Sequence, residues 1–187
     1  MHLKGALHVH TTCSDGTLSI KEAVAAHEAL GFDFMALTDH DFLMRKGCYD
    51  VVSRLRTDMI IFLGVEIMFH EKGYIHINRV EGDREVLHVF NHPSELGLTV
   101  PATIERIGAV SQKLRLDAVE ITTRGFYLAE FDVPEIRLPK IATDDSHERH
   151  MIGRAWVEMD APRDKDAILK AIKAGEFWNC FAGSRHT

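Results

Sequence analysis

Short apolar runs of strand length alternate with helix-length segments along this chain, and nearly every run ends in a histidine or a carboxylate. Lys4–Thr11, Phe34–Thr38, Ile60–Phe69, Tyr74–Val80, Val86–Phe90, Ala118–Thr122, Lys140–Thr143 and Ala155–Met159 read as strands. Ser19–Leu30 reads as a helix, because Ser19 and Glu22 form a capping box, Ile20, Ala23, Val24, His27 and Leu30 share a face, and Gly31 can close it. Further helices are expected over about Gly47–Arg56, Pro101–Leu114 and Asp164–Ala174, with Arg124–Pro139 the least regular segment. Strands alternating with helices predict an α/β fold with a largely parallel sheet, and about seven such units suit barrel closure better than a doubly wound sheet. A barrel gathers its chemistry at the C-terminal ends of its strands.

At 187 residues with 45% hydrophobic content, the chain suits one domain, residues 1–187, with a full core. Its 22 basic and 28 acidic side chains leave a net charge of −6. That balance argues against a broad nucleic-acid or anionic-membrane surface, while leaving room for a local basic patch. The longest apolar stretch, Met59 to Phe69, falls short of the ~20 residues that span a bilayer and contains Glu66. No signal-peptide layout follows Met1, so a soluble, cytoplasmic protein is expected. Cys13, Cys48 and Cys180 lie far apart with no CxxC spacing, which reads as small buried thiols in a reducing compartment.

The polar strand ends carry the chemistry. His8 and His10 are two apart on a strand, so their side chains leave one face about 6.6 Å apart. Asp145 and His147 repeat that spacing, and Asp15, His40, Glu66, His76 and His92 stand at or near other strand ends. Burying so many ionisable groups without partners would cost several kcal/mol, so the pattern predicts metal binding. Imidazole and carboxylate without thiolate favour catalytic Zn²⁺, Mn²⁺ or Fe²⁺ over a closed structural zinc site. Nine candidate ligands exceed what one tetrahedral ion uses, so a multinuclear site is expected.

The motifs His8-Val9-His10-Thr11, Ser14-Asp15-Gly16, Leu37-Thr38-Asp39-His40-Asp41, Gly64-Val65-Glu66, Asn91-His92-Pro93 and Asp145-Ser146-His147, in that order, resemble those of the PHP (polymerase and histidinol phosphatase) superfamily. The resemblance implies a distorted (β/α)7 barrel with two or three divalent ions, Zn, Mn or Fe, at the C-terminal strand ends. It implies that His8, His10, Glu66 and Asp145 hold the first ion, and that Asp15, His40 and His147 hold the second. Glu66 would bridge to a third ion held by His76 and His92. All nine positions are filled, unlike those of degenerate, metal-free relatives. Only fifteen residues separate His76 from His92, so the cap insertion of some relatives is missing. Asn91 stands where many relatives have a small residue, and Asp15 where some have histidine.

The implied activity is a metal-dependent phosphoesterase acting on a small phosphomonoester through a metal-bridging hydroxide, held by His8, His10, Glu66 and Asp145. Alternatives are a phosphodiesterase or exonuclease-like enzyme and a binding or regulatory module that keeps its metal. The expected partner is a small phosphorylated substrate, with nucleic acid disfavoured and no membrane. Arg124 and Arg149 are candidate phosphate contacts, since a guanidinium can fork onto phosphate, and His150 is a candidate general acid. Arg45 and Lys46 follow the His40 motif at what could be the pocket mouth. Asp39, Asp41 and Asp144 are read as groups that orient ligands or cap turns, with Asp144 an alternative to Asp145. His27 reads as a core histidine, while His2, His70, His88 and His186 are left outside the site.

Overall fold

The computed structural model describes residues 1–185, with side chains through residue 183; His186 lies outside the described residues. Strands β1 (His2–Val9), β2 (Phe34–Leu37), β3 (Ile60–His70), β4 (Tyr74–Glu81), β5 (Val86–Phe90), β6 (Ala118–Glu120) and β9 (Lys140–Ile141) lie side by side in that order. β1, β2 and β3 are parallel, β3, β4 and β5 form an antiparallel meander, and β5, β6 and β9 are parallel again. Past β1 the sheet continues antiparallel through β10 (Ala155–Asp160), β11 (Trp178–Phe181) and β12 (Ser184–Arg185). A separate ribbon pairs β7 (Thr122–Thr123) with β8 (Phe126–Tyr127).

The sheet nearly closes, and two devices draw its ends together. Beyond β9 the chain pairs with the end of β1, where His10 N–H donates to Ser146 O at 3.0 Å and Ser146 N–H to His8 O at 3.2 Å. On the other flank, the Asn179 side chain of β11 accepts from Ala142 N at 2.7 Å and donates to Lys140 O at 2.8 Å. One amide thereby replaces ladder bonds that the short β9 cannot make. The result is a distorted (β/α) barrel.

Among the described residues, three α-helices accompany these strands: α1 (Ile20–Ala29), α2 (Val100–Val110) and α3 (Lys165–Ala174). The capping box of Ser19 and Glu22 forms at α1, and Gly175 ends α3 at φ 73°. The expected second helix is a 3-10 segment, Cys48–Arg54, and the β3–β4–β5 meander turns without helices. Fewer strand–helix units therefore build the barrel than the alternation suggests. Inside it, Leu3, Leu7, Phe34, Phe62, Val89 and Ile141 pack onto Ile168, Leu169 and Ile172 of α3, which plugs one end. Ala6, Val9, Met35 and Leu37 pack outward against Ala23 and Val24 of α1. Burial of this kind is worth roughly 25 cal/mol per Å² of apolar surface, and it leaves the opposite end of the barrel for polar groups.

The cysteine expectation is corrected. Cys13, in the loop after β1, and Cys48, in the 3-10 segment after β2, form a disulfide with Cα atoms 5.7 Å apart. Adjacent parallel strands deliver their following loops side by side, a proximity that 35 residues of separation conceal. Cys13 is thereby unavailable as a metal ligand, and Cys180 is buried. Among the described residues, no helix is long and apolar enough to cross a membrane.

Candidate metal centre

A one-residue bulge in β1 begins the site. Ala6 pairs with Met35 and Val9 with Leu37, so β1 spends an extra residue between them. Without it, His8 would alternate with the inward Leu3 and Leu7 and face α1. With it, Ala6 and Val9 both pack outward, and His8 and His10 point into the barrel mouth. The following loop then turns back tightly, since a Cβ on Gly16 would lie 2.5 Å from the His10 carbonyl. Asp39 gathers that loop by accepting from Thr11 N, Thr11 Oγ1, Ser14 N and Ser14 Oγ at 2.7–3.0 Å, and from Tyr49 Oη at 3.0 Å. Asp15 is thereby set opposite His10.

All nine expected ligands converge at this mouth. Glu66 of β3 lies near the middle. His8 Nε2 and His10 Nε2 are 3.0 Å apart, and Asp145 Oδ1 is 3.3 Å and 3.4 Å from them. Glu66 completes this group with its oxygens 3.5 Å from His8 and 3.3 Å from His10. In a second group, Asp15 stands 3.3 Å from His10 Nδ1, 3.5 Å from His40 Nε2 and 3.4 Å from His147 Nε2. In a third, Glu66 Oε1 is 3.2 Å from His76 Nδ1 and 3.1 Å from His92 Nε2. The groups share members more than the motifs imply: His10 faces Asp15 with its second nitrogen, and His40 Nδ1 reaches Glu66 at 2.9 Å.

The donors fit divalent ions. His10 Nδ1, His40 Nδ1, His76 Nδ1, His92 Nδ1 and Asp145 Oδ1 are buried without a hydrogen-bond partner. Orphaned atoms of this kind are costly, and a cation among them would satisfy several at once. The set is nitrogen and oxygen only, as Zn²⁺, Mn²⁺ or Fe²⁺ at catalytic centres prefer.

Charge within the cluster is tightly coupled. Burial opposes the His8 and His10 cations, yet the surrounding carboxylates outweigh it: His8 is held well above the usual histidine value, and His10 is raised to about 10. Burial likewise opposes the charged carboxylates, but the histidines hold Asp15, Glu66 and Asp145 below the usual carboxylate range. His147 is shifted down, by burial and then by the His10 charge. The cluster is a set of anions that draws in positive charge, as protons or as metal.

Backbone strain gathers here too. Among the described residues, four non-glycines have positive φ, and three of them are His92 at 23°, Asp145 at 45° and Arg124 at 48°. Each such residue costs about 1–3 kcal/mol and persists where surrounding contacts over-determine it.

Seven of the nine expected ligands, all but His8 and His10, border a cavity of about 440 Å³ that Arg124, Glu95, Glu148 and Met151 also line. Arg124 sits at the tip of the β7–β8 ribbon, and its Nε donates to Glu95 Oε1 at 3.1 Å. Arg149 and His150 are brought elsewhere. The 3-10 turn Arg149–Met151 buries Met151 toward the site, which leaves both residues exposed and His150 Nδ1 3.4 Å from Glu148. Neither lines the cavity, so neither expected role has support in the geometry. Arg45 and Lys46 are exposed and away from it as well. Asp144 turns away from the ligands and accepts from Gly153 N at 2.7 Å, which leaves Asp145 as the cluster residue. His27 is fully buried against Phe32.

Two supporting residues were visible in the sequence but given no role there. Asn91 Nδ2 donates to Glu66 Oε1 at 2.7 Å, and Glu120 accepts from His8 Nδ1 at the same distance. Both stand at strand ends beside ligands, which was the available signal.

Known proteins align with this picture. Over 38 residues the chain is 50% identical to the DNA polymerase/3'-5' exonuclease PolX of Bacillus subtilis, a stretch amounting to 20% of this chain and 7% of that protein. A solved two-domain protein from Bacteroides vulgatus, containing a predicted PHP-like metal-dependent phosphoesterase, superposes with a TM-score of 0.75 at 19% identity. The match covers 97% of this chain and 65% of that one. An amidohydrolase from Chromobacterium violaceum, solved with bound sulfate and no metal, superposes at a TM-score of 0.67 and 14% identity over 95% and 97% of the two chains. At these identities the two structures show the fold. The model of a PHP-associated family matches residues 133–177, and that of the PHP domain matches residues 6–136. The chain belongs to the PHP domain family.

Proposed function

We propose that the protein is a metal-dependent phosphoesterase that hydrolyses a small phosphomonoester. The observation that carries this reading is the convergence of nine histidine and carboxylate side chains at the barrel mouth, seven of which line one cavity together with Arg124. His8, His10, Glu66 and Asp145 would hold one ion, Asp15, His40 and His147 a second, and Glu66, His76 and His92 a third. Two or three bound divalent ions would lower the pKa of water to about 7 and neutralise phosphoryl oxygens.

The chain's own residues do the rest. Glu95 holds Nε of Arg124, leaving the outer guanidinium nitrogens to fork onto the phosphoryl group. A water molecule that has given up one proton to solvent attacks phosphorus in line, the ester P–O bond breaks, and the leaving oxygen takes a proton from solvent at the open mouth. His150 stands beside Glu148 and outside the cavity lining, so no part in that proton transfer is assigned to it.

A phosphodiester substrate is the second reading, favoured by the local likeness to a polymerase and exonuclease. Hydrolysis of an aryl phosphomonoester beside the matching diester, after reconstitution with Mn²⁺, separates the two. Faster monoester turnover, abolished by a chelator and restored by Mn²⁺, is expected. Faster diester turnover moves the substrate to oligonucleotides. Metal bound with neither ester cleaved sinks the phosphoesterase reading in favour of a module that retains metal.

A further inference from the structure

Glu120 is fully buried, and its two oxygens receive three hydrogen bonds from three different elements. Oε1 accepts from His8 Nδ1 at 2.7 Å and from Thr143 Oγ1 at 2.7 Å, while Oε2 accepts from the His92 backbone N–H at 2.9 Å. His8 therefore keeps its proton on Nδ1 and turns Nε2 toward His10, Glu66 and Asp145. The bond to His92 falls where that residue's φ is 23°, a conformation histidine rarely adopts unaided. The His8 and His92 rings lie nearly parallel, 19° between their planes and 5.7 Å between centroids.

Glu120 is itself poorly placed to be a ligand. Although it lies close to His8 and His92, it meets the nitrogen of His8 turned away from His10, Glu66 and Asp145, at hydrogen-bond distance, and both its oxygens are committed. We propose that Glu120 is a positioning residue that fixes His8 and His92 together and so couples the first ion group to the third. Resting on the metal-centre reading above, this adds a residue outside the nine ligands on which the occupancy of two groups depends.

Glutamine at this position tests the idea at nearly constant volume. Its amide has one accepting oxygen and one donating nitrogen, so it cannot serve three donors at once. Zn²⁺ affinity would be measured by competition with a chromogenic chelator for wild type, Glu120→Gln and Thr143→Val. The His8 Nδ1–H and His92 amide resonances would be followed in the Zn²⁺-loaded proteins. Glu120→Gln is expected to weaken the tightest ion about 10- to 100-fold, the range typical when a ligand's orienting partner is lost. It should also loosen a second ion and move both resonances. Thr143→Val, which removes one donor and leaves the carboxylate, should stay within about threefold of wild type. Melting of the metal-free proteins registers any general loss of fold.

Glu120→Gln with every affinity within twofold of wild type and both resonances unmoved would overturn the assignment. So would a drop equalled by Thr143→Val, or one matched by the loss of metal-free stability. Wild-type protein that takes up no Zn²⁺ would overturn the metal reading, and this inference with it. That failure is told apart because it appears before any substitution.

Discussion

Val9 N–H donates to Thr38 Oγ1 at 3.0 Å, inside the bulge that decides which way His8 and His10 face. A bulge leaves a backbone group without its ladder partner, and here the side chain of the residue just past β2 supplies one. Thr38→Val keeps the shape and removes the acceptor. The orphaned N–H should cost about 1–3 kcal/mol. Chemical denaturation should show that loss, and metal content should fall as His8 and His10 become less fixed.

Arg124 is the cationic side chain among the described residues lining the cavity, and Glu95 holds one of its nitrogens. Arg124→Ala should raise KM for a phosphomonoester by about 10- to 100-fold, the worth of hydrogen bonds to a charged group. Metal content should not change, since Arg124 is not among the ligands. Arg124→Lys should recover little, because an ammonium cannot fork. Steady-state kinetics beside metal analysis checks both statements.

His27 predicts a pH dependence away from the metal. Burial lowers its pKa from 6.5 to about 4, with the ring Nδ1–H donating to Ala23 O at 2.7 Å. The folded state holds it neutral, whereas the unfolded chain protonates it below about 6.5. Its contribution is present above that pH and is lost as pH falls toward 4, by about 3 kcal/mol in total. Urea unfolding of wild type and His27→Leu at pH 7 and at pH 4.5 should show a steeper decline in wild type. Equal declines would refute the assignment.

The Cys13–Cys48 bond closes a loop of 35 residues and ties the loop bearing Asp15 to the segment after His40. Closing a loop of that length stabilises by about 3–4 kcal/mol in the chain-entropy account. A reductant should lower the denaturation midpoint of wild type and leave a Cys13→Ala/Cys48→Ala double variant unmoved. Thiol titration in denaturant should find Cys180 alone reactive in the oxidised protein.

The clustering of these side chains was legible because most stand at or near the ends of apolar runs, and a barrel brings strand ends together wherever they stand in sequence. The bulge was not legible: His-x-His on a regular strand predicts one shared face but not which, and Val9 gave no sign of the extra residue. Glu120 was visible as a strand-end carboxylate, yet nothing local links it to His8, 112 positions away. The disulfide was hidden for the same reason, since pairing between β1 and β2 sets it. Strand β11 was missed because Trp178–Phe181 is short and follows Gly175 closely, although its Asn179 helps close the barrel. Arg149 and His150 lie outside the cavity lining, and proximity to His147 in sequence says nothing about the turn that leaves them exposed.

The central claim is that the histidine and carboxylate cluster holds divalent ions. Crystals grown with Mn²⁺ and measured for anomalous scattering test it most directly. Two or three peaks are predicted within the cavity: one among His8, His10, Glu66 and Asp145, one among Asp15, His40 and His147, and a third beside His76 and His92. No peak in the cavity, or peaks confined to exposed carboxylates elsewhere, would contradict the account.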